Sequence, residues 1–193
     1  MSRSSVSGPW NSAGGIETAT IYALDGTSAA TIANSTGVMT VASLVATTGA
    51  FLGATPVNAT AATLAVTAAT HGGRVVTLNR AAGITATLPA ASGTGTVFRF
   101  LVGTTVTSNT TVIKVANASD VMTGSAYVIS DGAAAVLGYR TAATDDTITL
   151  NGTTTGGLLG DQITVTDVGT NLFMVSVLSA ATGTEATPFS ATV

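Results

Sequence analysis

One histidine, no cysteine and nine carboxylates are nearly all that this 193-residue sequence offers to chemistry. His71 lies in an Ala-Thr-His-Gly-Gly turn and is expected in solvent. A nucleophilic triad needs a base oriented by a third group, and zinc needs several His or Cys ligands; neither set can be assembled around a lone turn histidine. Among the carboxylates, Asp145-Asp146 is the one adjacent pair, with Asp131, Asp161 and Asp167 elsewhere. Two carboxylates suffice for glycoside hydrolysis, but neighbours on a strand point to opposite faces. The Thr-Asp-Asp-Thr setting reads instead as a turn that starts a strand at Thr147, and the only tryptophan, Trp10, lies far away in sequence. The loops lack the Asp-x-Asp-x-Asp-Gly spacing of a calcium loop. The glycine-rich stretch Gly152 to Gly160 lacks the Gly-Lys-Ser/Thr ending of a phosphate loop and reads as a long hairpin connection. The expectation is a non-enzymatic protein with no cofactor and no metal.

The elements that would carry these residues are β-strands. From Ala62 onward short runs alternate apolar and polar residues: Thr63 to Thr67, Arg74 to Asn79, Ile84 to Leu88, Thr96 to Val102 and Val112 to Ala116. Further runs follow at Ala126 to Ser130, Ala134 to Tyr139, Thr147 to Leu150, Gln162 to Val168 and Leu172 to Leu178. Period-two alternation puts Phe98, Phe100 and Val102 on one face, and Ile113 with Val115 on another. Many short strands separated by turn signals, without an amphipathic helix, predict an all-β fold: an antiparallel β-sandwich, jelly-roll-like, over residues 62–178. The Ala/Thr-rich residues 179–193 read as a loose tail or as a strand added to a neighbour.

Residues 1–61 differ in kind. Between Asp25 and Arg74 there is no charged residue, and short β-like pieces end at Asp25-Gly26, Asn34 to Gly37 and Thr47 to Gly49. An isolated chain of this composition has few large side chains to bury, so its strands are expected to pair with other copies, as an extended arm or β-stem. Val38, Val41, Leu44, Val45, Phe51 and Leu52 are the trimer-interface candidates, and Pro9, Trp10, Ile16 and Tyr22 the candidate anchor to a larger surface. Aromatic anchors among small adaptable residues are typical of binding hot spots.

Composition narrows the partners. The six basic residues (Arg3, Arg74, Arg80, Arg99, Lys114 and Arg140) are scattered in a chain of net charge −3, whereas phosphate binding by counterion release needs them clustered. Nucleic acid is not expected. Val38 to Val57 is uncharged but holds four Thr, two Gly, a Ser and a Pro, so no membrane span is expected either. Met1 to Gly8 is followed by Pro9-Trp10-Asn11 and not by an apolar stretch, which argues against a signal peptide.

Two stretches carry a family resemblance: "HGGRVVTLNRAAGITATLPAASGTGTVFRFLVGTTVTSNTTVIKVANASDVMTGSA" and "DDTITLNGTTTGGLLGDQITVTDVG". Over roughly Ala62 to Leu178 the chain resembles a domain of tailed-phage structural proteins, including capsid decoration (cement) proteins and head fibres. The resemblance implies a β-sandwich, assembly as a homotrimer, and attachment to the major capsid protein at symmetry points on the outer surface of the virion. The rival expectation is a receptor-binding tail fibre or spike module that holds host surface glycan on its loops.

Overall fold

The computed structural model describes residues 20–22, 28–32, 39–41, 55–132 and 135–193. The chain forms two compact units, Met1–Phe51 and Leu52–Val193. In the first, β1 (Thr20–Tyr22), β2 (Ser28–Ile32) and β3 (Met39–Val41) make an antiparallel meander in the order β1-β2-β3. Tyr22 ends β1 and Val41 ends β3. The other arm candidates (Pro9, Trp10, Ile16, Val38, Leu44, Val45, Phe51 and Leu52) lie outside the described residues.

The second unit is nearly all β. Its strands are β4 (Val57–Ala59), β5 (Thr63–Ala65), β6 (Val75–Leu78), β7 (Thr85–Thr87), β8 (Val97–Val102), β9 (Thr111–Lys114), β10 (Val121–Ser130), β11 (Val136–Arg140), β12 (Thr147–Leu150), β13 (Gln162–Gly169), β14 (Leu172–Ala181) and β15 (Phe189–Ser190). One turn of helix, α1 (Ala68–His71), lies between β5 and β6. The strands form a seven-stranded sheet ordered β11-β10-β14-β13-β8-β6-β4 and a five-stranded sheet ordered β15-β12-β9-β7-β5.

Both sheets are mixed, which corrects the expectation of antiparallel pairing. From β4 to β9 the chain alternates strictly between the sheets, so β4 with β5, β6 with β7, and β8 with β9 each make one coil. Successive coils stack in parallel: β4 on β6 on β8 in one sheet, and β5 on β7 on β9 in the other. Parallel neighbours need a crossover, and here the crossover is a strand of the opposite sheet in place of a helix. Strand spacing along the sequence is the same for a coil and for a hairpin, so direction was not legible from it. The later strands are mostly antiparallel, except that β10 runs parallel to β14 over its whole length.

The alternation of side chains creates one core. In the seven-stranded sheet a single row runs through Val57, Val76, Phe100, Ile163, Val177, Ala126 and Tyr139. In the five-stranded sheet the corresponding row is Leu64, Ala86, Ile113, Ile148 and Phe189. These residues belong to, or pack against, one cluster centred on the fully buried Phe98, Phe100 and Phe173. Each large aliphatic or aromatic side chain so buried contributes roughly 1.5–3 kcal/mol.

Three local expectations change. The stretch Gly152 to Gly160 is not a hairpin but a crossing from β12 in the small sheet to β13 in the large one. Gly152 at φ +78° begins it, where a Cβ would collide with the Val106 carbonyl. The residues after Leu178 are part of the fold: β14 continues to Ala181, and β15 pairs with β12 and buries Phe189. Finally, His71 is buried. Its Nδ1 accepts the Thr67 N–H at 3.0 Å, and Thr67 Oγ1 caps α1 by accepting the Thr70 N–H. Gly72 lets this turn close against Ala68 and Thr96, where any side chain would clash, and that closure takes the imidazole out of water.

Candidate interaction surface

Five carboxylates, which could have marked a reactive site, hold loops in place. Asp120, Asp145, Asp146, Asp161 and Asp167 are all buried, and the partners described for them are N–H groups and hydroxyls rather than cations. Asp167, in β13, receives the N–H groups of Ser92, Gly93 and Thr94 and the hydroxyls of Ser92 and Thr94. Burial pushes its carboxyl up, but the Thr94 hydroxyl and these N–H groups outweigh that and bring it down to about 2. Asp146 ties down the chain end: it accepts Thr192 N–H at 2.8 Å, Val193 N–H at 3.2 Å and the Thr147 hydroxyl at 2.7 Å. Those bonds overcome burial and lower its pKa. At Asp161 burial wins and the pKa is raised, although Ala180, Gly157 and Leu158 N–H groups oppose it. Asp145 accepts the Ala142 N–H at 2.8 Å, closing the turn before β12. Asp145 and Asp146 thus each organise a different loop. No group of three or more His, Cys, Asp or Glu side chains suited to a metal occurs among the described residues.

What remains is the outer surface of the two sheets, and these differ sharply. On the five-stranded sheet the outward rows are Thr63, Thr85, Val112 and Thr149, then Ala65, Thr87, Lys114 and Ser190, with Thr147 of the second row buried and bonded to Asp146 and Thr192. This is a small-residue, hydroxyl-rich face.

The outward rows of the seven-stranded sheet are apolar at one corner. Val136 stands opposite Ile129, while Tyr127 pairs with Leu178 on one side and Gly138 on the other. These side chains are 61% (Val136), 44% (Ile129), 52% (Tyr127) and 48% (Leu178) exposed, and Met174 lies further down β14 on the same face at 54%. A Cβ at Gly138 would meet nothing within 4 Å, so the backbone leaves room beside the Tyr127 ring. Scattered exposed apolar residues are ordinary, but a contiguous group built on three neighbouring strands is the kind of patch that marks contact surfaces.

This corner was not singled out from the sequence, although a signal was present. Ala126-Tyr127-Val128-Ile129 and Phe173-Met174-Val175 are apolar at both parities, and a strand that is apolar on both sides is either buried twice or covered by a partner. Here the inner parity, Ala126, Val128, Phe173 and Val175, meets the interior, which leaves the outer parity uncovered. No helix of the described residues is long and apolar enough to cross a membrane. Comparison of the chain with protein-family models, curated proteins and solved structures finds no match.

Proposed function

We propose that this protein is a structural virion protein that decorates and stabilises the outside of a tailed-phage capsid as a homotrimer, without catalysis. The observation that supports this best is the apolar corner of β10, β11 and β14 on a domain whose buried carboxylates serve loop anchoring. In this reading the two sheets act as a β-sandwich of mixed topology, and the corner meets its counterparts around a threefold axis. The arm, with Pro9, Trp10, Ile16 and Tyr22, reaches the major capsid protein, and Val38, Val41, Leu44, Val45, Phe51 and Leu52 extend the contact between copies. The sequence resemblance to cement and head-fibre proteins supports the same reading.

Stabilisation would work by mass action: a trimer that binds the assembled shell but not free subunits lowers the free energy of the shell by its binding free energy. The test is negative-stain imaging of virions that carry the protein labelled at its C-terminus. Label over the head supports a decoration protein, and label confined to the tail rejects it in favour of a receptor-binding fibre or spike. Purified capsids give a second measurement. Deletion of residues 1–22 removes capsid binding under this proposal while Leu52–Val193 keeps its β core, and undiminished binding would move attachment to the β unit.

A further inference from the structure

The apolar corner continues along the outer face of the seven-stranded sheet into a concavity. One cross-strand row reads Tyr127, Leu178, Gln162 and Leu101 from β10 to β8. Its last two residues line an open depression of about 250 Å³, with Val75, Arg99 and Thr164 among the other walls. Arg74 donates to the Thr55 and Thr70 carbonyls, and Arg80 to those of Ala82 and Gly83. Arg99 is exposed and has no such partner among the described residues. The depression thus joins two half-buried apolar walls, Val75 and Leu101, to one unpaired cation.

The far end of the corner is a projection of matching chemistry. The chain turns after β10 at Asp131 and Gly132, and the Ser130 N–H donates to the Ala135 carbonyl at the base of the turn. Beside it stand Ile129 and Val136, paired across the strands and exposed. Among the described carboxylates of this unit, Asp120, Asp145, Asp146, Asp161 and Asp167 are buried. Glu185 is half-buried beside Ser130, and Asp131 alone is exposed. The tip therefore presents two apolar side chains and one anion. Within one chain it is far from the depression. Arg99 shares a cross-strand row with Ser125, three strand spacings or roughly 14 Å away, and Asp131 lies six residues, roughly 20 Å, further along β10. The strand pairing fixes that separation, so only another copy can bring a tip to this depression.

We infer that the β10–β11 tip of each copy seats in the depression of the next, with the Asp131 carboxylate on the Arg99 guanidinium and Val136 against Val75 and Leu101. The inference rests on the homotrimer reading and gives it a geometry. Away from a threefold axis each contact joins two different patches of the chain. A projection at one end of a face and a depression at the other meet that requirement, and Tyr127 and Leu178 lie between them in the same interface. The planar fork of a guanidinium matches a carboxylate, and seating the tip covers Ile129 and Val136 as it pairs the charge. Arg140 is carried by β11, on the inserted hairpin itself and four strands from Arg99, so it stands outside the pair.

Charge reversals in the full chain, read by sedimentation equilibrium, test the pairing. Arg99→Glu and Asp131→Arg each raise the concentration at which the trimer gives way to single chains by about tenfold or more, because each sets like charges against one another. Combining the two restores wild-type association, whereas Arg140→Glu does not rescue Asp131→Arg. The three positions are exposed and outside the core, so circular dichroism stays that of a β protein throughout. A trimer indifferent to both single reversals, failure of the combined variant to recover association, or rescue by Arg140→Glu would overturn the inference and leave the trimer itself standing. A wild-type chain that stays single would overturn both.

Discussion

The outer faces of the two sheets are made from the same strand geometry, and yet they have opposite chemistry. The five-stranded sheet turns Thr63, Thr85 and Thr149 outward in one row and Thr87 and Lys114 in the next. The seven-stranded sheet turns out Tyr127, Ile129, Val136 and Leu178. Threonine satisfies β-propensity at little cost in exposed apolar area, since its branched carbon stiffens the strand while its hydroxyl stays hydrated. A surface built from it needs no partner. Large apolar side chains on an exposed strand gain only if they are covered, and each covered one contributes roughly 1.5–3 kcal/mol. The contrast supports the seven-stranded face as the contact surface in the proposed assembly.

The largest expected effect falls on that face. Replacing Tyr127 and Leu178 together by Ser removes two neighbouring residues of the proposed contact and weakens association by about 4 kcal/mol or more, if each reaches the usual hot-spot threshold of about 2. Size-exclusion chromatography with light scattering reads the result, and the circular dichroism of the variant stays that of a β protein. An unchanged assembly would place the contacts elsewhere, in the arm.

A smaller effect is expected inside the molecule, at the loop that Asp167 holds. In Asp167→Asn an NH2 group must face N–H donors that the carboxylate accepts, which costs about 3 kcal/mol in thermal or denaturant unfolding. The sign of the pH dependence follows from the depressed pKa. Asp167 contributes stability that is fully present above its ordinary value of 3.8 and is lost as pH falls toward about 2. Asp146, also lowered, acts in the same direction. Asp161, raised, acts in the opposite direction, since its protonation on acidification favours the folded state. Wild-type stability therefore falls below about pH 4, and the fall is shallower in Asp167→Asn. An equally steep acid limb in the variant would show that Asp167 does not titrate with unfolding.

The smallest effect is predicted on the other sheet. Thr85→Ala with Thr149→Ala changes stability by about 1 kcal/mol per site or less and leaves assembly untouched, as expected for half-exposed strand positions outside the core. Loss of assembly in this pair would erase the distinction between the faces.

Much of this architecture was legible in the residues. The alternation in Val97-Phe98-Arg99-Phe100 and in Val112-Ile113-Lys114-Val115 separated the two faces correctly, because a strand half-exposed to water records its two sides in period two. Strand direction left no such record: β6 and β8 read the same whether a hairpin or a crossing through β7 joins them, so the parallel coils stayed hidden. Phe189 and the end of β14 were obscured by their Ala/Thr-rich surroundings, and β4 by the uncharged stretch around Pro56. His71 was misjudged because burial of a turn depends on Gly72 closing against Thr96, a contact distant in sequence. The apolar corner failed to register for another reason: the excess of apolar residues in β10 and β14 was visible, but which parity faces inward depends on register with neighbouring strands.

Sedimentation equilibrium of the full chain at micromolar concentration tests the contact face most directly. A single species of three times the 18.8 kDa chain mass is expected, reduced to the mass of one chain by the Tyr127→Ser, Leu178→Ser pair. A wild-type monomer, or a trimer indifferent to that pair, would contradict it.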